Sequence, residues 1–235
     1  MSGEGLCAGS APPAFPLPAA GVLLAGGESR RMGRDKALLE LDGRPLVLRG
    51  LEVLSRACAG AVISASNAEP FARFSVPVVP DLWPGQGPLG ALVSVFEAVP
   101  SDLLFLAACD MPFLREDAIR HIYGRMGDCD IAVLETGGRL HTLHAFYHRR
   151  AAPAAASLFR SGERSLISLM RVCRACVLSR NPEGFRAPGA GIRRVEPLTE
   201  AWSAVLERSA VNVNTEREWA EALRSGHFRR RDVSN

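Results

Sequence analysis

The stretch Leu24-Ala25-Gly26-Gly27-Glu28-Ser29-Arg30-Arg31-Met32-Gly33-Arg34-Asp35-Lys36 gathers the residue types that handle phosphate. A glycine-rich turn lets backbone N–H groups approach phosphate oxygens with no side chain in the way. Arg30, Arg31 and Lys36 add positive charge suited to neutralising a triphosphate and holding its leaving group. No Gly-Lys-Ser/Thr follows the second glycine, so this is not a P-loop. The glycine spacing also differs from the dinucleotide-binding fingerprint. Asp110 is the second chemical signal, standing at the tip of the apolar run Leu103-Leu104-Phe105-Leu106-Ala107-Ala108-Cys109. A carboxylate there costs energy unless it is paired, hydrogen-bonded or bound to a metal. Its hard oxygens suit Mg²⁺, which takes one or two carboxylates and fills its shell with phosphate and water. The competing role is capping of the turn at Met111-Pro112.

These groups need a scaffold, and the pattern of the chain supplies one. Gly21-Val22-Leu23-Leu24-Ala25 reads as a buried strand feeding the glycine turn. Pro45 opens an amphipathic helix carrying Leu46, Val47, Leu51, Leu54 and Cys58. Residues 61–65 and 76–79 predict two more strands, and residues 89–98 a helix entered through Gly87-Pro88. The run ending at Asp110 suits a central strand covered on both faces. A helix over 116–125 and a strand over 131–134 continue the alternation. Strands alternating with helices predict a doubly wound, mostly parallel α/β sheet, whose ligands sit beyond the carboxyl ends of the strands. Gly26, Gly27 and Asp110 all fall at that edge.

Beyond Gly137-Gly138 the pattern weakens. Residues 144–147 predict a strand, 151–159 and 166–170 helices, 180–194 a long loop, and 216–223 a final helix capped by Thr215. This organisation implies a proline-broken leader over residues 1–20, one domain over 21–224 and a basic tail over 225–235. The net charge of +3 is too small for a broad electrostatic grip on nucleic acid. No apolar run is long enough to span a bilayer. Six scattered cysteines make no secreted disulfide framework, so the cytoplasm is the expected compartment.

Other candidates read as structural. Cys173 and Cys176 form a Cys-x-x-Cys without a second pair, and their apolar neighbours point to buried thiols. His141, His144 and His148 lack the companions of a zinc hydrolase. His141 is kept as an acceptor contact and the other two as structural. Trp202 and Trp219 read as core residues.

The opening motif is followed in order by Asp81, Gly87-Pro88-Leu89, Cys109-Asp110-Met111-Pro112, Gly162-Glu163-Arg164 and Val211-Asn212-Val213-Asn214-Thr215. In this combination the chain resembles the molybdenum cofactor guanylyltransferase family, which joins GMP to molybdopterin. The resemblance implies a Rossmann-like nucleotidyltransferase architecture with a small antiparallel C-terminal part. It implies that Leu24, Ala25 and Gly26 line the guanine and ribose pocket, and that Gly27, Arg31, Gly33 and Lys36 hold phosphates. Asp81 and Ser64 would contact the nucleoside, and Asp110 would bind Mg²⁺. Gly87, Arg164, Asn212 and Asn214 would face the pterin acceptor. Arg31, Lys36 and Asp110 form the expected catalytic set. GTP and molybdopterin are the implied substrates, with molybdoenzyme apoproteins or their chaperones receiving the product. The chain departs from the family at Ser64 and Ser66, where asparagines are frequent, and at Gly90-Ala91, Thr142 and Ser165. Ala25-Gly26-Gly27 stands where CTP-using relatives read Ala-Ala-Gly, and the smaller second residue leaves room for a purine. The alternatives are transfer from CTP to molybdopterin, a sugar phosphate as acceptor, or a non-catalytic nucleotide-binding or cofactor-carrier protein.

Overall fold

The computed structural model describes residues 16–25, 36–41, 43–213, 215, 217, 218 and 220, with position 36 described by its backbone alone. In chain order the elements are β1 (Leu17–Leu24), β2 (Glu40–Leu41), β3 (Arg44–Pro45), α1 (Leu46–Ala57), β4 (Cys58–Ala65), β5 (Val78–Pro80), α2 (Gly87–Ala98) and β6 (Leu103–Ala108). There follow α3 (Glu116–Gly124), β7 (Ile131–Thr136), β8 (Arg139–His148), α4 (Ala152–Arg160), β9 (Ala175–Ser179), β10 (Ile192–Pro197) and α5 (Glu200–Ser209). Short 3-10 turns cover Lys36–Leu38, Glu69–Phe74, Arg149–Ala151 and Leu166–Arg171.

The main sheet has the order β10-β9-β7-β8-β6-β1-β4-β5. Every neighbouring pair is parallel except those that β8 makes with β6 and β7. The short β2 and β3 form a separate antiparallel pair. The mostly parallel, doubly wound sheet expected from the alternation is therefore present, with the antiparallel strand inside it.

Period-two alternation sends neighbouring side chains of each strand into two different cores. Leu23, Ile63, Phe105 and Phe146 pack on one face with Leu51 and Leu54 of α1, Ile119 of α3 and Leu206 of α5. Val22, Leu104, Leu106 and Tyr147 pack on the other with Leu92 and Phe96 of α2 and Ala155 of α4. All six residues of β6 are buried, as its unbroken apolar run requires. Helix α1 lies closely over β1, and a Cβ added at Gly21 would stand 2.8 Å from Cβ of Leu54. That approach fixes the strand that carries Leu24 and Ala25.

Several elements differ from the sequence expectation: Cys58, expected on the helix opened by Pro45, lies beyond α1 and opens β4, and the β2–β3 pair had no counterpart. Strand β1 starts at Leu17, inside the span read as a leader, with an irregular register between Leu17 and Ala20 around Pro18. Proline has no N–H for the ladder, which explains the irregularity. Strand β10 begins at Ile192 within the expected loop, and α5 has no counterpart in the expectation. At the C-terminal side Thr215 and Glu218 exchange hydrogen bonds as a capping box, with Thr215 Oγ1 accepting from Glu218 N at 3.1 Å. Trp219 lies outside the described residues. No helix among them is long and apolar enough to cross a membrane.

The edge of the sheet opposite the expected ligand side is pinned by Asp130. Its carboxylate accepts from Arg150 Nε at 2.8 Å and Arg174 Nη2 at 3.0 Å, and its carbonyl accepts from His148 N at 2.7 Å. Burial alone would raise the Asp130 pKa, but the hydrogen bonds from Arg174 and Arg150 outweigh it and hold it down to about 2. A carboxylate whose folded-state pKa is depressed stabilises the fold above its unfolded value and loses that contribution as pH falls through the folded one. Asp130→Asn is therefore expected to cost about 1–2 kcal/mol at pH 7, discounted because both arginines reach solvent. Urea unfolding across the acid range should show the gap between parent and variant closing below pH 3.8 toward about 2.

Candidate active site

The carboxyl ends of β6, β1, β4 and β5 lie side by side and bring five of the expected residues onto one rim. Along it stand Asp110 after β6, Leu24 and Ala25 at the end of β1, Ser64 in β4 and Asp81 after β5. Asp110 and Asp81 are three strand steps apart, roughly 14 Å at ordinary sheet spacing. The backbone here is partly committed to the sheet: Ala25 N donates to Ser64 O at 2.9 Å and Cys109 N to Leu24 O at 3.0 Å. The Ser64 hydroxyl is buried and has no hydrogen-bond partner among the described residues. A buried donor in that position gains from a ligand that supplies an acceptor.

Asp81 is held from both sides. Its amide donates to Ala65 O at 3.0 Å, and its Oδ1 accepts from Trp83 N at 3.0 Å. Ser94 of α2 braces the same turn: its hydroxyl accepts from Leu82 N at 3.0 Å, donates to Gly90 O at 3.1 Å and lies 3.5 Å from Asp81 Oδ1. Sequence reasoning missed Ser94, although a lone serine in the apolar run of α2 was a visible signal.

Asp110 sits in a turn, with Met111 N donating to Ala108 O at 3.3 Å. The Asp110 carbonyl accepts from Val213 N at 2.9 Å. This backbone bond brings Asn212, expected at the acceptor, beside the turn expected to hold the metal. Among the described residues no group of three or more His, Cys, Asp or Glu could cage a metal ion. Magnesium bound by one carboxylate and completed by substrate phosphates needs no such cage, so the donor chemistry of Asp110 fits it.

Gly87 and Arg164, also expected at the acceptor, meet at the start of α2. Gly87 has φ +80, and a Cβ there would stand 3.0 Å from Arg164 O. Leu89 N donates to that same carbonyl at 3.1 Å. The Arg164 guanidinium donates to Gln86 Oε1 at 2.8 Å and Phe159 O at 3.0 Å, and stacks 4.5 Å over the Phe159 ring. Its charge is thus carried on a preformed clasp between α2 and α4. Gln86 and Phe159 belong to that clasp and were not expected from the sequence.

His141 lies near the start of β8, with Nε2 2.6 Å from Thr136 Oγ1. Burial, then the charge of Arg139, lowers its pKa from 6.5, so the ring is neutral at pH 7. Next to it Glu135 is buried, its Oε1 accepting from Gly138 N and its Oε2 from the Ser179 hydroxyl, both at 2.5 Å. That carboxylate fixes the β7–β8 turn against β9, a role no spacing in the sequence announced. His144 and His148 take structural places, His148 Nδ1 accepting from Arg150 N at 3.1 Å and His144 lying in the core. Cys173 and Cys176 are buried free thiols, each pushed up to about 11 by burial. Gly26, Gly27, Arg31, Gly33 and Asn214 lie outside the described residues, as does the Lys36 side chain. The Lys36 backbone opens the 3-10 turn whose Ala37 is buried in the α1 core.

Comparison with known proteins bears on the family and the fold. Residues 21–180 match the MobA-like NTP transferase domain. A Mycobacterium tuberculosis protein named "Probable molybdenum cofactor guanylyltransferase" is 40% identical over 160 residues, covering 66% of this chain and 80% of its own. A Pelotomaculum thermopropionicum protein of the same name is 34% identical over 171 residues, covering 73% and 82%. In fold, the chain is similar to molybdopterin-guanine dinucleotide biosynthesis protein A from Archaeoglobus fulgidus, with TM-score 0.68, 20% identity and coverage of 88% and 97%. It is also similar to 2-C-methyl-D-erythritol 4-phosphate cytidylyltransferase from Thermus thermophilus, with TM-score 0.57, 15% identity and coverage of 88% and 98%.

Proposed function

Because the chain belongs to the MobA-like NTP transferase family and is a nucleotidyltransferase, we propose that it transfers GMP from Mg-GTP to molybdopterin. The observation that carries this reading is the shared rim. Asp81 and Asp110 stand at two ends of a nucleotide-length edge, and the Asn212 segment is bonded to the Asp110 turn. The nucleoside lies toward Asp81 and Ser64, and the triphosphate toward Asp110 and the glycine turn after β1. The acceptor approaches from the side of Asn212, Asn214, Gly87, Arg164 and His141.

In the reaction an oxygen of the acceptor's terminal phosphate attacks the α-phosphorus of GTP. The bond to the bridging oxygen breaks, and pyrophosphate leaves with that electron pair. The acceptor oxygen is already ionised at neutral pH, so no general base is needed, which accords with a neutral His141. The work of the protein is alignment and charge neutralisation. Arg31 and Lys36 counter the charge on the triphosphate, and backbone amides at Gly26, Gly27 and Gly33 orient it. Magnesium held through Asp110 would supply further neutralisation of the phosphate oxygens. The product is the guanine dinucleotide form of the cofactor, passed on to molybdoenzyme apoproteins or their chaperones.

The test is incubation of the full chain with molybdopterin and each Mg-NTP in turn, with mass identification of the dinucleotide. The guanine product is expected to form at least about tenfold faster than the cytosine product, the scale on which one steric misfit in a pocket discriminates. Faster formation of the cytosine dinucleotide would assign CTP as donor. Absence of any dinucleotide would refute the acceptor.

A further inference from the structure

Ser209 closes α5 and is fully buried. Its hydroxyl accepts from Arg115 N at 3.1 Å, at the entry to α3, and lies 2.8 Å from His144 Nε2 on β8. Four residues after Ser209, Val213 N bonds to Asp110 O at 2.9 Å. Five residues after Asp110 comes Arg115. The segment from Ser209 to Val213 and the turn from Asp110 to Arg115 are thus tied at both ends, once backbone to backbone and once through a side-chain hydroxyl.

His144 gives that hydroxyl its direction. The imidazole is wholly buried against the edge of Phe105, 5.4 Å between centroids, and desolvation keeps it uncharged. A neutral ring offers one accepting nitrogen. With Nε2 accepting the Ser209 proton, the oxygen lone pairs face the Arg115 amide. The Ser209 hydroxyl is then satisfied both as donor and as acceptor, while His144 Nδ1 is buried with no hydrogen-bond partner among the described residues. A hydroxyl paired in both senses is held in one geometry because turning it away leaves the Arg115 amide unpaired. His144 is 65 residues from Ser209 in sequence, so neither residue has a local reason to be polar. A core position on β8 and the last turn of a helix would otherwise favour apolar side chains.

We propose that His144 and Ser209 are positioning residues that seat the Asn212 segment on the Asp110 turn and thereby set affinity for the phosphorylated acceptor. The statement about the acceptor rests on the reading of Asn212 given above. The seating itself rests on the hydrogen bonds alone. Neither side chain touches a substrate. Their influence passes through the backbone at residues 210–213.

The experiment uses the full chain as Ser209→Ala, His144→Leu, His144→Gln and the double variant Ser209→Ala/His144→Leu. Amide hydrogen exchange is read at Val213 and Arg115, with β6 as the internal reference, and KM is measured for molybdopterin and for GTP separately. In Ser209→Ala the Val213 and Arg115 amides should exchange about tenfold faster while β6 is unchanged, the scale of one lost buried hydrogen bond. The acceptor KM should rise by about the same factor, with the GTP KM within about twofold. His144→Gln, whose amide oxygen can take the hydroxyl proton, should keep most of the parental behaviour. The double variant should be no worse than the poorer single one, as expected of residues acting as one unit. Unchanged exchange at Val213 in Ser209→Ala overturns the proposal, as does a GTP KM that rises in step with the acceptor KM. If exchange accelerates as expected but the parent makes no dinucleotide from molybdopterin, the seating stands and the assigned acceptor fails.

Discussion

Alanine in place of Asp110 will slow pyrophosphate release from Mg-GTP by a factor on the order of a thousand or more, with the fold intact. A metal-held carboxylate contributes several kcal/mol of charge stabilisation in phosphoryl chemistry, and each 1.36 kcal/mol is about tenfold in rate. The structural alternative, a carboxylate that only caps its turn, predicts something different. The contact that fastens the acceptor segment is to the Asp110 carbonyl, which alanine retains. Removing a partly buried carboxylate also removes its desolvation cost, so the thermal midpoint should stay close to that of the parent. Single-turnover release of pyrophosphate across a magnesium titration, read beside thermal unfolding, separates the two. If the variant turns over near the parental rate in saturating magnesium, Asp110 has no place in the chemistry.

Lys36→Ala should lower kcat by about two orders of magnitude while weakening Mg-GTP binding only severalfold. The lysine follows the glycine turn and opens the 3-10 turn whose next residue, Ala37, is anchored in the α1 core. That anchorage fixes the backbone beside the residue whose ammonium is proposed to meet the phosphates. Charge shifts onto the pyrophosphate oxygens as the bond breaks, so the ammonium is worth more in the transition state than in the ground state. The loss of one preorganised charge donor is typically on the order of a hundredfold to a thousandfold in kcat. Arginine should rescue in part, its planar fork replacing a point charge. Equilibrium GTP titration together with single-turnover rates distinguishes the effects. A variant that binds GTP poorly yet reacts at the parental rate once saturated would make Lys36 a binding residue and nothing more.

The parallel half of the fold was legible because its strands are buried on both faces. Leu103–Ala108 has no polar residue to interrupt it, and the residues that follow such strands mark the ligand edge. The elements that were not legible have mixed surfaces. Strand β10 is an edge strand in which the adjacent, exposed Arg193 and Arg194 break the period-two pattern, as in a loop. Helix α5 buries Ser203 and Ser209 beside Leu206, so its inner face carries too few apolar side chains to stand out. The site shows the same division. The residues proposed to meet substrate, such as Asp81 and Asp110, stand at the ends of readable strands. Those that hold them, Ser94, Glu135, Ser209 and His144, act through contacts that only folding creates.

The placement of β8 bears on how the protein is made. Strands β6 and β7 follow one another in sequence, yet they do not pair; β8 lies between them and bonds to both. Until residues 139–148 have been synthesised, each of those strands presents a row of unpaired amides and carbonyls along an apolar flank. Such open edges invite pairing with other chains. A single ten-residue strand closes both at once. Docking of β8 thus covers the facing edges of β6 and β7 together, while the other edge of β7 is left for the later strand β9.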